Sequence, residues 1–93
     1  MISIQLDKLE ELAASLLSPG EIAILLGIPQ AQRSSFCVRC RAHDGDPIYE
    51  AYNRGRLTTK LDLRRNIIKL AKAGSPAAEP MVEIFLREQN ANI

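Results

Sequence analysis

Little in this sequence belongs to a catalytic, metal-bound or membrane-spanning chain. It has one histidine, His43, and two cysteines, Cys37 and Cys40, set as Cys-x-x-Cys with the histidine three residues on. A structural zinc site takes four ligands, usually as two pairs; no second pair is present, so a metal centre is not expected. A thioredoxin-type redox pair needs strands around it, and no stretch alternates apolar and polar residues with period two. On a helix, Cys37 and Cys40 serve instead as small buried hydrophobes. There is no glycine-rich loop suited to phosphates, and the histidine and carboxylates form no acid–base, nucleophile or metal constellation. The expectation is a non-enzyme with no cofactor. No apolar run approaches the roughly 18 residues of a membrane span. The N-terminus lacks the basic-then-apolar pattern of a secretory signal, which points to a cytoplasmic protein with no membrane partner. Net charge is also scarce: twelve Lys and Arg against eleven Asp and Glu leave +1, so the chain taken whole is not a strongly basic nucleic-acid binder.

That charge is unevenly placed. Residues 1–28 carry Lys8 against Asp7, Glu10, Glu11 and Glu21, a net −3; residues 29–72 hold ten Lys and Arg against four acids, a net +6; the remainder is −2. The middle is the basic part. At its start lies the stretch around which the chain is organised, residues 18–43. Ser18 can cap a helix, Pro19 suits the first helical position because its missing N–H would be unpaired there, and Glu21 completes a Ser-x-x-Glu capping box. Gly27 can take the left-handed conformation that ends a helix, and Pro29 cannot continue one. Between them Ile22, Leu25 and Leu26 make an apolar stripe, with Ala23 small where a second helix must cross closely. Helix-turn-helix DNA-binding proteins use this Ile-Ala-x-x-Leu-Gly-Ile pattern, residues 22–28 here; an ordinary αα-hairpin is the alternative.

The second helix of the motif, starting near Pro29 or Gln30, is the one a DNA major groove would receive. Gln30, Gln32, Arg33 and Ser34 lie near its N-terminus, where side chains reach base edges. Gln and Arg can make bidentate contacts to adenine and guanine, and Arg39 and Arg41 further along can meet phosphates. A merely solvated helix face is the competing reading. On a helical wheel Arg33 falls among Phe36, Cys37 and Cys40, where an apolar residue is expected. Either the helix begins later than Pro29, or Arg33 runs along the core edge with its head in solvent.

The other segments are helical too. In residues 5–17, Leu6, Leu9, Leu12, Ala13, Leu16 and Leu17 recur at helical spacing while Asp7, Lys8, Glu10 and Glu11 face elsewhere, giving an amphipathic first helix behind the motif. Residues 43–47 form a turn with a fresh start, Asp46 as cap and Pro47 at the first position. A long helix over about 47–73 follows. Gly55 is its weak point, disfavoured by roughly 1 kcal/mol against Ala, and either permits a close helix crossing or marks a bend. Gly74 ends that helix, and Ser75-Pro76 starts a final apolar helix over about 76–90 by the same cap-then-Pro device. Pro80 offers an alternative, a regular helix beginning there after a single turn. The helix folds back as an αα-hairpin. The expected fold is all-α with about five helices in a single domain, residues 1–93.

Three stretches in order carry a resemblance. They are Glu21-Ile22-Ala23 with Leu26-Gly27-Ile28; the ten residues from Pro47 to Arg56; and Leu70-Ala71-Lys72-Ala73-Gly74-Ser75-Pro76-Ala77-Ala78 before the last helix. Together the chain resembles the N-terminal DNA-binding region of the small subunit of tailed-bacteriophage DNA-packaging terminases. The resemblance implies a protein of the bacterial host cytoplasm that recognises double-stranded viral DNA and is itself neither nuclease nor ATPase. It also implies assembly into homo-oligomeric rings that recruit the terminase large subunit. Two departures stand out: Arg33 replaces an apolar residue, and no stretch is comparable to the family's oligomerisation and large-subunit-binding segments. What the resemblance carries best is a phage- or prophage-type helix-turn-helix protein that binds DNA. The alternative is a helical adaptor that binds protein through the same fold.

Overall fold

The computed structural model describes residues 4–42 and 45–91. His43 and Asp44, which the sequence places in the turn after the helix-turn-helix, lie outside the described residues. The chain is all-helical: α1 Leu6–Ala14, α2 Pro19–Leu25, α3 Gln30–Arg41, α4 Pro47–Lys72 and α5 Glu79–Ala91. Among the described residues there is no strand and no helix long and apolar enough to cross a membrane. The five helices of the sequence reading are present, with shifted ends. Two compact units divide the chain, Met1–Thr59 and Lys60–Ile93, and α4 contributes its first half to one and its second half to the other.

In the first unit, α1 stops three residues before the expected end because Leu16 takes a left-handed backbone, φ 63°. A residue with a Cβ pays roughly 1–2 kcal/mol for that conformation, so nothing in its chemistry announces the stop. The start of α2 follows its sequence signal. The Glu21 N–H donates to Ser18 Oγ at 3.3 Å and the Ser18 N–H donates to Glu21 Oε1 at 3.0 Å, a complete capping box. These bonds to Ser18 hold the Glu21 carboxyl below its ordinary pKa. Gly27, at φ +71°, turns the chain, and the Ile28 N–H donates back to the Ala23 carbonyl at 3.0 Å. Pro19, Ile22, Ala23 and Leu26 occupy an arc of about 100° on α2 and are the residues it buries or half-buries. Leu25, placed in the apolar stripe by the sequence reading, lies outside that arc and is exposed.

The core of this unit is Leu9, Ala13, Ile22, Ala23, Ile28, Phe36, Cys40, Ile48 and Ala51, one contiguous cluster fed by α1, α2, the turn after it, α3 and the first two turns of α4. α1 also meets the first half of α4 at its backbone. A Cβ on Gly55 would lie 3.0 Å from both the Ala14 nitrogen and the Glu10 carbonyl carbon and closer still to the Glu10 oxygen. Thr59 Oγ1 donates to the Ala14 carbonyl at 2.5 Å, and Arg54 pairs with Glu10 at 2.9 Å. Gly55 therefore marks a close crossing rather than a bend.

In the second unit, residues 60–72 of α4 and α5 form a hairpin. Gly74, at φ +92°, ends α4, and the Ser75 N–H donates to the Leu70 carbonyl. The final helix starts at Glu79, beside the alternative start at Pro80 and not at 76. Residues 76–78 form a turn, leaving Pro80 in the first helical turn, where its missing N–H is no loss. Arg64 pairs with Glu88 and stacks over the Phe85 ring at 4.3 Å. No residue of α5 is buried.

Candidate nucleic-acid interface

The face that α3 leaves outward follows from the face it buries. Phe36 and Cys40 are fully buried, with Arg33 and Cys37 half-buried beside them. At 100° per residue, the opposite arc runs through Gln30, Arg41, Ser34, Val38, Ala31 and Ser35, and all six are exposed. Core packing against α2 on one side, and the N-terminus of α4 on the other, fix the direction of this arc. It is a short-chained, polar surface with one cation and one exposed branched apolar side chain.

The six residues expected from the sequence divide into three groups. Gln30, Ser34 and Arg41 share the outward arc. Gln32 lies at the edge of the buried face, beside Phe36, and is half-buried. Arg33 and Arg39 are engaged within the fold. Arg33 runs along the core edge, as one of the two sequence alternatives has it, but its head is not simply in solvent: Nε donates to the Ile28 carbonyl at 3.0 Å and so braces the turn between α2 and α3. Arg39 makes a two-pronged pair with Asp46, Nε to Oδ2 at 2.8 Å and Nη2 to Oδ1 at 3.0 Å. Ala31, Ser35 and Val38 were not singled out from sequence. Once Phe36 and Cys40 are taken as inward, the wheel places them on the outer arc.

Asp46 is the hinge between α3 and α4. Besides holding Arg39, its Oδ1 accepts the Ile48 N–H at 2.9 Å, the N-cap bond of α4. The Arg39 guanidinium, and then the Ile48 N–H, hold its carboxyl below the usual carboxylate range. A carboxylate depressed in the folded state binds fewer protons there than when unfolded. Its contribution is therefore full above the unfolded pKa of about 4 and is lost as pH falls through the folded value. Asp46→Asn is expected to lower stability at pH 7 by about 1 kcal/mol and to flatten the loss of stability below pH ~4. Urea titrations of both proteins at a series of pH values check this; parallel curves would remove Asp46 from the acid response.

The two cysteines are free thiols, Cys40 in the core and Cys37 packed against it. Burial pushes the Cys40 thiol up to about 12, so it stays neutral at physiological pH, as a core hydrophobe does. Among the described residues no group of three or more His, Cys, Asp and Glu side chains could hold a metal ion. Of the basic residues on the first half of α4, Arg54 is paired with Glu10 across to α1, and Arg56 donates to Asn53 on its own helix. Compared with known proteins, the chain matches no family model, no curated protein and no solved structure.

Proposed function

We propose that this chain is a non-catalytic DNA-binding module of helix-turn-helix type, similar to the small subunit of a phage or prophage terminase, with α3 as its recognition helix. The observation that carries the reading is the outward arc of α3. A rigidly braced helix presents Gln30, Ala31, Ser34, Ser35, Val38 and Arg41 together. Small side chains let a helix sit deep in a major groove, Gln30 supplies an amide able to pair with adenine, and Val38 offers an apolar contact for a thymine methyl. The acidic residues of α1 lie on a different helix. The partner is double-stranded DNA; recruitment of a terminase large subunit and homo-oligomer formation follow from the resemblance alone.

A second reading, a helical adaptor for protein, draws on the second unit. Its hairpin leaves Leu61, Leu63, Leu70, Met81, Ile84 and Leu86 exposed, and such apolar side chains suit a protein surface. Fluorescence anisotropy with a labelled random-sequence duplex separates the two. The DNA reading expects binding that weakens steeply from about 50 to 200 mM salt, and Ser34→Glu, which places a negative charge on the outer arc, is expected to weaken it about tenfold, or about 1.4 kcal/mol. No binding by the wild-type protein at low salt would leave the adaptor reading in possession.

A further inference from the structure

Behind the outward arc, where the C-terminal end of α3 meets the first half of α4, lies an open cleft of about 380 Å³ lined by Cys40, Arg41, Tyr49, Tyr52, Asn53 and Arg56. Among the described residues two cations line it, and no acidic side chain does. This distinguishes Arg41 and Arg56 from the other arginines with ion-pair partners in the first unit: Arg39 is held by Asp46 and Arg54 by Glu10, while neither Arg41 nor Arg56 has an acidic partner among the described residues.

The cleft is also built before anything enters it. Asn53 Nδ2 donates to the Cys40 carbonyl at 3.2 Å and to the Tyr49 carbonyl at 3.0 Å, which ties the last turn of α3 to α4. The same amide presents Oδ1 to Arg56, accepting from Nη2 at 3.0 Å and Nε at 3.3 Å. A guanidinium has five N–H donors; two are used on Asn53, which fixes the plane of the group and leaves three for a ligand. Tyr49 and Tyr52, three residues apart on α4 and half-buried, line the same cleft. Paired guanidinium donors with no competing carboxylate among the described lining residues are the chemistry that takes a tetrahedral oxyanion.

We infer that this cleft is a seat for a phosphate group, in which Arg41 and Arg56 share the charge of one phosphate and Asn53 positions Arg56. The anion chemistry stands on the cleft itself; its assignment to a phosphodiester of the DNA backbone rests on the DNA-binding reading. On that assignment Arg41 links the groove-facing arc to the backbone contact, so α3 and α4 grip one strand together. Such a contact fixes register and carries no sequence information.

The test measures duplex affinity against salt for the full chain, wild type beside Arg41→Gln, Arg56→Gln and Arg56→Lys, with inorganic phosphate titrated separately and followed by the side-chain Nε–H resonances of Arg41 and Arg56. Thermal unfolding confirms that each variant is folded, and Arg41→Gln, on an exposed side chain, serves even where a change at Arg56 disturbs Asn53. The seat predicts that each Gln variant reduces the steepness of log K against log salt, by at most the roughly 0.9 that one phosphate contributes, and equally for unrelated duplex sequences. Arg56→Lys keeps the charge and restores most of the slope. Duplex binding with unchanged slopes in Arg41→Gln and Arg56→Gln overturns the seat and leaves the DNA reading standing. Absence of duplex binding with saturable phosphate shifts at both arginines upholds the seat for a free phosphate or phosphomonoester and removes DNA as its source. Neither duplex binding nor phosphate shifts overturns both.

Discussion

Phe36→Ala is expected to destabilise the first unit by about 4 kcal/mol, within the range for truncating a buried phenylalanine. Phe36 is fully buried and is the largest side chain to be so. It stands where α3 meets the cluster of Leu9, Ile22, Ile28 and Ile48, and a core of so few large residues has little means of collapsing into the space. Small domains hold roughly 5–15 kcal/mol in total, so the variant should lose a large share of its stability and unfold at a much lower urea concentration. Val38→Ala is the control. It lies two residues along the same helix, but on the exposed arc, and should change stability by less than about 0.5 kcal/mol. Comparable losses at both positions would mean that α3 does not present the face assigned to it.

Gly55→Ala is expected to cost about 3 kcal/mol, against the usual direction for this substitution. In an exposed helix interior alanine is favoured over glycine by roughly 1 kcal/mol. At Gly55 the added Cβ meets the backbone of α1, at Glu10 and Ala14, and backbone atoms cannot rotate away as a side chain does. Relief requires α1 to move off α4. That breaks the Thr59 hydrogen bond to the Ala14 carbonyl and the Arg54–Glu10 pair, and loosens Leu9 and Ala13 in the core. Overpacking of this kind costs about 1–3 kcal/mol and occasionally more, with the propensity gain offsetting only part. The check is the urea midpoint, which should fall by roughly 2–3 M if the urea dependence is near 1 kcal/mol per M. A midpoint equal to or above that of the wild type would show that α1 and α4 do not approach here.

The same residues show what could be read from sequence and what could not. Most ends marked by local chemistry were legible: the Ser18-Pro19-Gly20-Glu21 start, the Gly27 turn, the Asp46-Pro47 start and the Gly74 stop all act within a few residues of themselves. The end of α1 carries no such mark, and there the reading overran: α1 stops at Ala14, and Leu16, with its side chain exposed, turns left-handed. At α5 the Ser75-Pro76 signal is not used; residues 76–78 close a turn of their own and the helix begins at Glu79, beside the alternative start at Pro80.

The candidate site divides along the same line. Gln30, Ser34 and Arg41 were legible because helical periodicity alone carries them opposite Phe36 and Cys40. The engagement of Arg39 by Asp46 spans seven residues across a turn, and the tie from Asn53 to the Cys40 carbonyl spans thirteen. Periodicity within one helix contains neither. Arg33 shows the converse: its misfit on the wheel was visible, but the carbonyl that accepts its Nε–H belongs to the preceding turn.

The central claim is that the outward arc of α3 is a DNA-binding surface. Its most direct test is a titration of the isotope-labelled protein with a short duplex at low salt, following backbone amide resonances. The account predicts shifts concentrated at Gln30, Ala31, Ser34, Ser35, Val38 and Arg41, with the amides of Asp7, Glu10 and Glu11 on α1 unmoved. Shifts confined to residues 60–91, or no shifts at all under those conditions, would contradict it.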